Sequence, residues 1–338
     1  MAAVRERRLP QLTLPIDLPA DGRGSRLHFP PPLPPAASSS SEHHFSDFDK
    51  LEVLGHGNGG IVYKVCHRPT AALYALKVLH AGDPQSRRHA AREVEILRRA
   101  ADHPSVVHCC GVLPAPSGDV AVLLELMDSG CLDSLLRRRR GRPIPDRALS
   151  GIARQALLGL SYLHSLQVVH RDIKPSNLLI NTAGEVKIAD FGVGKIVRRA
   201  LDKCVSYVGT CAYMSPERFD PATHGGAGYD GYAGDVWGLG LTIMELGMGR
   251  FPLLPAGERP DWAALMWAIC FGEPPAIPDS DEASPELRDF VSRCLQKEAE
   301  KRWTVAQLLE HPFVAGKDRS SSELAVRELL LDSVCDSS

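Results

Sequence analysis

Six side chains able to do chemistry stand within eight residues in His170-Arg171-Asp172-Ile173-Lys174-Pro175-Ser176-Asn177, and a second carboxylate follows in Asp190-Phe191-Gly192. A strand-turn-strand pattern around Thr182-Ala183-Gly184 separates the two blocks. A carboxylate, a lysine and an amide in one loop, with another carboxylate returned by a short hairpin, can supply a base, a phosphate contact and two metal-facing oxygens. An Asp and an Asn that merely shape a polar loop would account for one block, but not for both in this order.

Upstream, Gly55-His56-Gly57-Asn58-Gly59-Gly60-Ile61-Val62 carries the spacing G-x-G-x-x-G-x-V through Gly55, Gly57 and Gly60. Glycine-rich turns also make plain hairpins and open dinucleotide folds. Here strands rather than a helix follow, which favours a hairpin laid over phosphates. Lys77, in Tyr74-Ala75-Leu76-Lys77-Val78, shares a face with Leu73, Ala75 and Leu79 by two-residue alternation. A lysine on an otherwise apolar face needs an anion, because an unpaired buried charge is costly. Glu93, at the margin of the apolar stripe of a predicted helix, is the candidate; taken alone, two solvated charges would explain the pair as well.

The elements that must position these groups follow from the hydrophobic pattern. Runs at 51–54, 61–66 and 73–79 predict an antiparallel sheet, and Ala90, Val94, Leu97 and Ala101 recur at helical spacing beside it. After a further strand over 120–126 the pattern turns helical, with Leu149, Ile152, Ala156, Leu160 and Leu163 on one face of a long helix. A sheet-rich unit (45–126) therefore precedes a helix-rich one (130–314). The junction over 127–130 is a natural ligand cleft. Before them the first 35 residues hold eight prolines and are followed by Ser38 to Ser41, a composition expected to form a flexible arm over 1–44. Residues 315–338 form a tail in which Leu324, Leu330, Leu331 and Val334 suit a short helix, either docking an upstream partner or covering the helical unit.

The 338 residues are 44% hydrophobic and 24% charged, enough to bury a core of more than one small domain. With 39 basic and 41 acidic residues the formal charge is -2, which gives no global reason to expect nucleic acid or an anionic membrane as partner. Nine cysteines form no C-x-x-C pair and the start lacks an apolar signal core, so a reduced, cytoplasmic protein is expected, with nuclear entry also compatible. No apolar run is long enough for a bilayer span, and a monomer is expected.

Taken together, over about 48–313, the sequence resembles the eukaryotic protein kinases, with Ser215-Pro216-Glu217, Asp235-Val236-Trp237-Gly238-Leu239-Gly240 and Arg302 as further matches. The resemblance implies an α+β, bilobal fold: a small antiparallel-sheet N-lobe, a larger helical C-lobe and ATP between them. It also implies that Asp172 orients the acceptor hydroxyl and takes its proton, that Lys174 neutralises the transferring group, and that Lys77, positioned by Glu93, holds the α- and β-phosphates. Asn177 and Asp190 would hold Mg2+. Leu54, Val62, Ala75 and Leu179 would sandwich the adenine, Leu124 would be the gatekeeper, and the backbones of Glu125 and Met127 would bond the base. Glu217 and Arg302 should pair as a structural brace.

Within that superfamily, Lys187-Ile188-Ala189-Asp190-Phe191-Gly192-Val193 with Val208-Gly209-Thr210 and Tyr213-Met214-Ser215-Pro216-Glu217-Arg218 is similar to the MAP kinase kinases, most of all the short plant-type members. This resemblance implies a dual-specificity enzyme acting on Thr and Tyr of a T-x-Y activation loop in a downstream MAP kinase and switched by an upstream MAP kinase kinase kinase. Arg5, Arg7 and Arg8 followed by Leu12 and Leu14 resemble a MAP kinase docking peptide, though a basic, proline-rich tail has the same look. Plant-type members carry Ser/Thr-x5-Ser/Thr in the activation segment; here Ser206 fills the second position but Ala200 the first, and Asp202 takes the first animal-type position. The expectation is a single regulatory phosphosite, Ser206, with Asp202 supplying part of the missing charge near Arg171 and Lys195. Gly194 stands where the family has Ser. A Ser/Thr-only kinase and a weakly active MAP kinase-binding scaffold are the alternatives; intact Lys77, Glu93, Asp172, Asn177 and Asp190 argue against the scaffold.

Three other features have plainer readings. Arg137 to Arg140 with Arg142 is read as solvated surface rather than a nuclear localisation patch, and Cys109 and Cys110 as packed thiols rather than metal ligands. Trp262, Met266 and Trp267 recur at helical spacing and are read as packing, with a partner surface as the alternative.

Overall fold

The computed structural model describes residues 43–57, 60–100, 103–192, 194–196, 211–220, 229–253, 262–279 and 281–335. The chain divides into Met1–Glu42 and His43–Ser338, and everything described below lies in the second unit. The glycine-bearing hairpin is made by β1 (Phe48–Gly57) and β2 (Gly60–His67), and β3 (Ala72–Leu79), β4 (Cys109–Pro114) and β5 (Val120–Glu125) complete an antiparallel sheet of order β1-β2-β3-β5-β4. Strand β4 is absent from the pattern-based expectation. Its Cys-Cys-Gly start is broken by an irregular register between Cys109 and Gly111 and it ends on proline, so it shows no clean alternation.

Helix α1 (Pro84–Arg99) begins as the sequence dictates: the Asp83 side chain accepts from the N–H groups of Gln85 and Ser86, and Pro84 opens the first turn. It buries Ala90, Val94, Ile96 and Leu97 against the main core, and Glu93 with them. The opposite face of the sheet has its own cluster of Phe48, Val65, Leu76, Leu113, Ala121 and Leu123, covered by Phe45.

The larger lobe is built on α3 (Asp146–Ser165) and α5 (Gly231–Met248), both buried along most of their length. Around them stand α2 (Leu132–Arg138), α4 (Pro216–Phe219), α6 (Trp262–Met266), α7 (Pro285–Cys294), α8 (Val305–Leu309) and α9 (Arg319–Cys335). Two small ladders lie at the lobe junction: β6 (Val168–Val169) with β9 (Lys195–Ile196), and β7 (Leu178–Ile180) with β8 (Val186–Ile188). The ladder β7–β8 is stitched to both sides of the cleft, by Val107 N–H to Ile188 O and Ile188 N–H to Ser105 O on one flank, and by Ile180 N–H to Gly130 O on the other.

Helix α9 covers the C-lobe, as one of the two tail readings expects. It packs on α3 through Ala325, Val326 and Leu329, with Arg147–Glu328 and Arg319–Glu185 ion pairs at 2.7 and 2.6 Å, while Leu324 and Leu331 stay exposed. Trp267 departs from the packing expectation. It opens a π-helical turn and is 67% exposed beside Phe271, while Lys297 caps the Ala268 and Gly272 carbonyls beneath. The arginine run has local partners: Arg137 pairs with Asp133, Arg138 donates to Ser129 O, and Arg139 to Pro143 O, so these residues close the end of α2.

Candidate active site

Strand β3 and helix α1 bring Lys77 and Glu93 together. Both are buried, and Lys77 Nζ donates to Glu93 Oε1 and, at 2.8 Å, to Asp190 Oδ1 from the far lobe. Burial works against the lysine's charge, but the two carboxylates more than offset it and hold the pKa above the ordinary lysine value. Burial pushes the Glu93 carboxyl up against the pull of Lys77. For Asp190 burial also opposes ionisation, yet the charge and hydrogen bond of Lys77 win and hold it below the usual carboxylate range. The triad is thus a charged anchor of fixed geometry spanning the cleft. The face assigned to Lys77 is apolar at Ala75 and Leu79, but Leu73, opposite Cys66 near the start of the strand, is exposed.

The glycine hairpin behaves unevenly. Gly57 faces Gly60 across β1–β2. A Cβ on Gly55 would meet nothing within 4 Å, so the surface there is open to an approaching group. Gly60 is glycine for a different reason: its φ is +154° and a Cβ would lie 1.7 Å from the Val78 carbonyl oxygen. Behind the hairpin, Val62 pairs with Lys77, and Ala75 with Leu124. Val107, Met127 and Ala189 form a small buried cluster on which Leu124 and Leu179 pack. Leu54 is half exposed on the opposite lip. Glu125 donates its N–H to His108 O, and Met127 accepts at its carbonyl from Gly130 N–H.

The loop after α3 is held by one carboxylate that the motif reading left without a role. Asp235, fully buried in α5, accepts from the N–H groups of His170 (2.8 Å) and Arg171 (2.7 Å) and from the His164 ring (3.0 Å). Burial would raise its pKa, but these hydrogen bonds and the nearby histidines keep it low. Arg171 has φ +72° and Asp190 φ +65°; both bound the reactive loop and hairpin, where strained backbone is retained because the surroundings fix it. His170 Nε2 donates to Ala189 O (3.0 Å) and the ring packs edge-on against Phe191, tying the loop to the segment that carries Asp190. Asp172 then meets Lys174 Nζ at 2.8 Å and Asn177 Nδ2 at 3.0 Å, while Asn177 Nδ2 also donates to the Asp172 carbonyl.

Sequence reading quoted Asp235 as a family match but gave it no role, although one signal was present: an acid whose next residues in the helix include Val236, Trp237, Leu239, Leu241 and Ile243. It likewise gave no role to Arg218, which donates to the Arg171 carbonyl from α4. The expected brace is present: Arg302, with no exposed side chain, makes a bidentate pair with Glu217 at 2.9 and 3.1 Å. Gly194 has a packing reason, since a Cβ there would sit 2.8 Å from Ile96 Cδ1 of α1. Arg5, Arg7, Arg8, Leu12, Leu14, Ala200, Asp202 and Ser206 lie outside the described residues, as does the side chain of Lys195.

Comparison with known proteins bears on the same region. Residues 48–314 match the protein kinase domain family model. The chain is 54% identical over 316 residues, 93% of its length and 99% of the relative's, to mitogen-activated protein kinase kinase 9 of Arabidopsis thaliana. It is 57% identical over 272 residues, 80% of this chain and 85% of the relative, to mitogen-activated protein kinase kinase 7 of the same plant. Similarity to mitogen-activated protein kinase kinase SIPKK of Nicotiana tabacum is 39% over 278 residues, 81% of this chain and 75% of the relative.

Proposed function

The chain belongs to the MAP kinase kinase family of protein kinases, and we propose that the residues gathered in its cleft transfer the γ-phosphoryl group of ATP to Thr and Tyr of a T-x-Y segment in a MAP kinase. The observation that supports the residue assignment is a pair of side-chain clusters, Lys77 with Glu93 and Asp190, and Asp172 with Lys174 and Asn177, whose segments are joined where Ala189 N–H donates to Asn177 O at 2.9 Å. Lys77, kept charged by its two carboxylates, meets the α- and β-phosphates. The open surface at Gly55 admits the triphosphate beneath the hairpin, and the adenine lies between Leu54, Val62 and Ala75 above and Leu179 below, with Leu124 behind it. With the Glu125 N–H engaged by His108 and the Met127 carbonyl by Gly130, the Glu125 carbonyl and Met127 N–H serve as acceptor and donor for the base edge. Asp172 accepts the proton of the incoming hydroxyl, and Lys174 beside it balances charge on the moving group.

The donor set suits magnesium. Asn177 spends Nδ2 on Asp172, which leaves its Oδ1, and Asp190 spends Oδ1 on Lys77, which leaves its Oδ2. Two hard oxygens match an ion that keeps several waters and takes further ligands from phosphates. Among the described residues no cluster of three or more His, Cys, Asp and Glu side chains could hold a metal by itself, so an ion held by Asn177 and Asp190 would need phosphate and water oxygens to complete its shell. When bound, it neutralises phosphate charge as the γ-phosphoryl leaves.

Residues 1–14 dock the MAP kinase through Arg5, Arg7 and Arg8 on an acidic patch and Leu12 and Leu14 in an apolar groove. Ser206 is the site at which a MAP kinase kinase kinase switches the enzyme on. Phosphosite mapping on catalytically inactive MAP kinases, with the full chain and with a chain lacking residues 1–14, tests both points. Label on both Thr and Tyr, with KM for the substrate kinase rising on truncation, supports the reading; label on Thr alone favours the Ser/Thr-only alternative. Ser206→Ala should abolish activation by an upstream kinase, and equal activation of variant and wild type would sink the phosphosite.

A further inference from the structure

Lys187 lies in the middle of β8 with its side chain nearly withdrawn from solvent, and none of the roles above uses it. A buried ammonium is costly unless it is both paired and hydrogen-bonded. Lys187 Nζ donates to both oxygens of Glu125, at 2.9 Å to Oε1 and 2.8 Å to Oε2, and lies 3.6 Å from Glu185. Glu125 ends β5, where the chain leaves the small lobe. Its Oε1 also accepts from His108 N–H at 2.7 Å, while its own N–H donates to His108 O at 3.1 Å. One residue at the adenine edge is therefore gripped from the small lobe through His108 and from the large lobe through Lys187. Across β7–β8, Lys187 pairs with Leu179, the floor assigned to the base, and three residues further on stands Asp190.

We infer that Lys187 is a positioning residue for the nucleotide, fixing the end of β5 against the β7–β8 hairpin and so setting the spacing between the base-edge contacts and the Leu179 floor. On the outer side Glu185 is held by Asn181 Nδ2 at 2.7 Å and by Arg319 of α9 at 2.6 Å. That half of the chain of charges faces solvent and bears little of the load, because exposed pairs contribute little. The buried Lys187–Glu125 half bears the rest. The inference rests on the ATP reading given above.

The test uses the full chain as wild type, Lys187→Met, Lys187→Arg and Arg319→Ala, with KM for ATP and kcat measured on an inactive MAP kinase and Kd for ADP measured by calorimetry. Lys187→Met should raise KM and Kd about five- to tenfold with kcat within about twofold, the pattern of a lost ground-state binding contribution. Lys187→Arg should restore both to within about twofold, since a guanidinium can remake the bidentate pair, and Arg319→Ala should stay within about the same range. Unchanged nucleotide affinity in Lys187→Met, no recovery in Lys187→Arg, or an equal shift in Arg319→Ala would each overturn the inference. If Lys187→Met does not fold, Glu125→Gln, which keeps an acceptor for His108, gives the same readout with the same expected rise. A wild type that fails to saturate with ATP would sink the ATP reading and this inference together. Normal saturation with an unaffected Lys187→Met would sink this inference alone.

Discussion

Replacing Asp172 by asparagine isolates the base from everything that surrounds it. The carboxylate already accepts at Oδ2 from Lys174 Nζ (2.8 Å) and Asn177 Nδ2 (3.0 Å), and an asparagine of the same shape can keep both bonds with its carbonyl oxygen. Loop geometry is therefore retained while the ability to take a proton is lost. A positioned base contributes roughly 10²- to 10⁴-fold, or about 2.7 to 5.4 kcal/mol of barrier at about 1.36 kcal/mol per decade. The anchor proposed for the nucleotide, Lys77 with Glu93, stands on the other lobe, so KM for ATP should remain within about twofold. The assay is initial-rate phosphorylation of an inactive MAP kinase over a series of ATP concentrations, with a thermal melt to show that the variant is folded. A folded Asp172→Asn that loses less than about tenfold in kcat, or that loses rate through KM for ATP, would refute the assignment.

Arg302→Ala leaves Glu217 buried without its bidentate partner; a cost of about 3–5 kcal/mol should lower the melting temperature by on the order of 10 °C, and Arg302→Met with Glu217→Gln should recover much of it. Asp235 has a folded pKa below its ordinary value of 3.8, so its contribution is complete above that value and is lost as pH falls through the folded one. Melts carried from about pH 5 down to about pH 2 should accordingly show a shallower acid-side decline below about pH 4 in Asp235→Asn than in wild type, from a lower starting stability; parallel curves there would contradict the role given to Asp235. Removal of divalent metal with a chelator should abolish phosphoryl transfer while leaving the melting temperature of the nucleotide-free chain unchanged, because the described side chains form no metal cluster of their own.

The positions of Lys77 and Glu93 were legible because each lies on an element with a clear period, β3 at two residues and α1 at 3.6, and each stands among apolar neighbours. Two lobes and their junction followed from the same change of period. Strand β4 escaped because glycine, proline and a register irregularity erase alternation over so few residues. Trp267 was misread because helical spacing says which residues share a face, not whether anything covers that face. Leu73 was misread for the kindred reason that a strand's inward face extends only as far as its neighbours do.

By itself the amino-acid sequence determined which chemical groups this protein owns and in what order, because the loop 170–177, the block at Asp190 and the glycine run are contiguous and carry their own spacing. Tertiary structure alone decided which charges meet: Lys77 with Asp190, Glu217 with Arg302, Asp235 with the backbone of His170 and Arg171, and Lys187 with Glu125. Those partners lie 62 to 113 residues apart in the chain. The strength of a charge pair depends on its separation and on the polarity of its surroundings, and both come into existence only when the lobes pack.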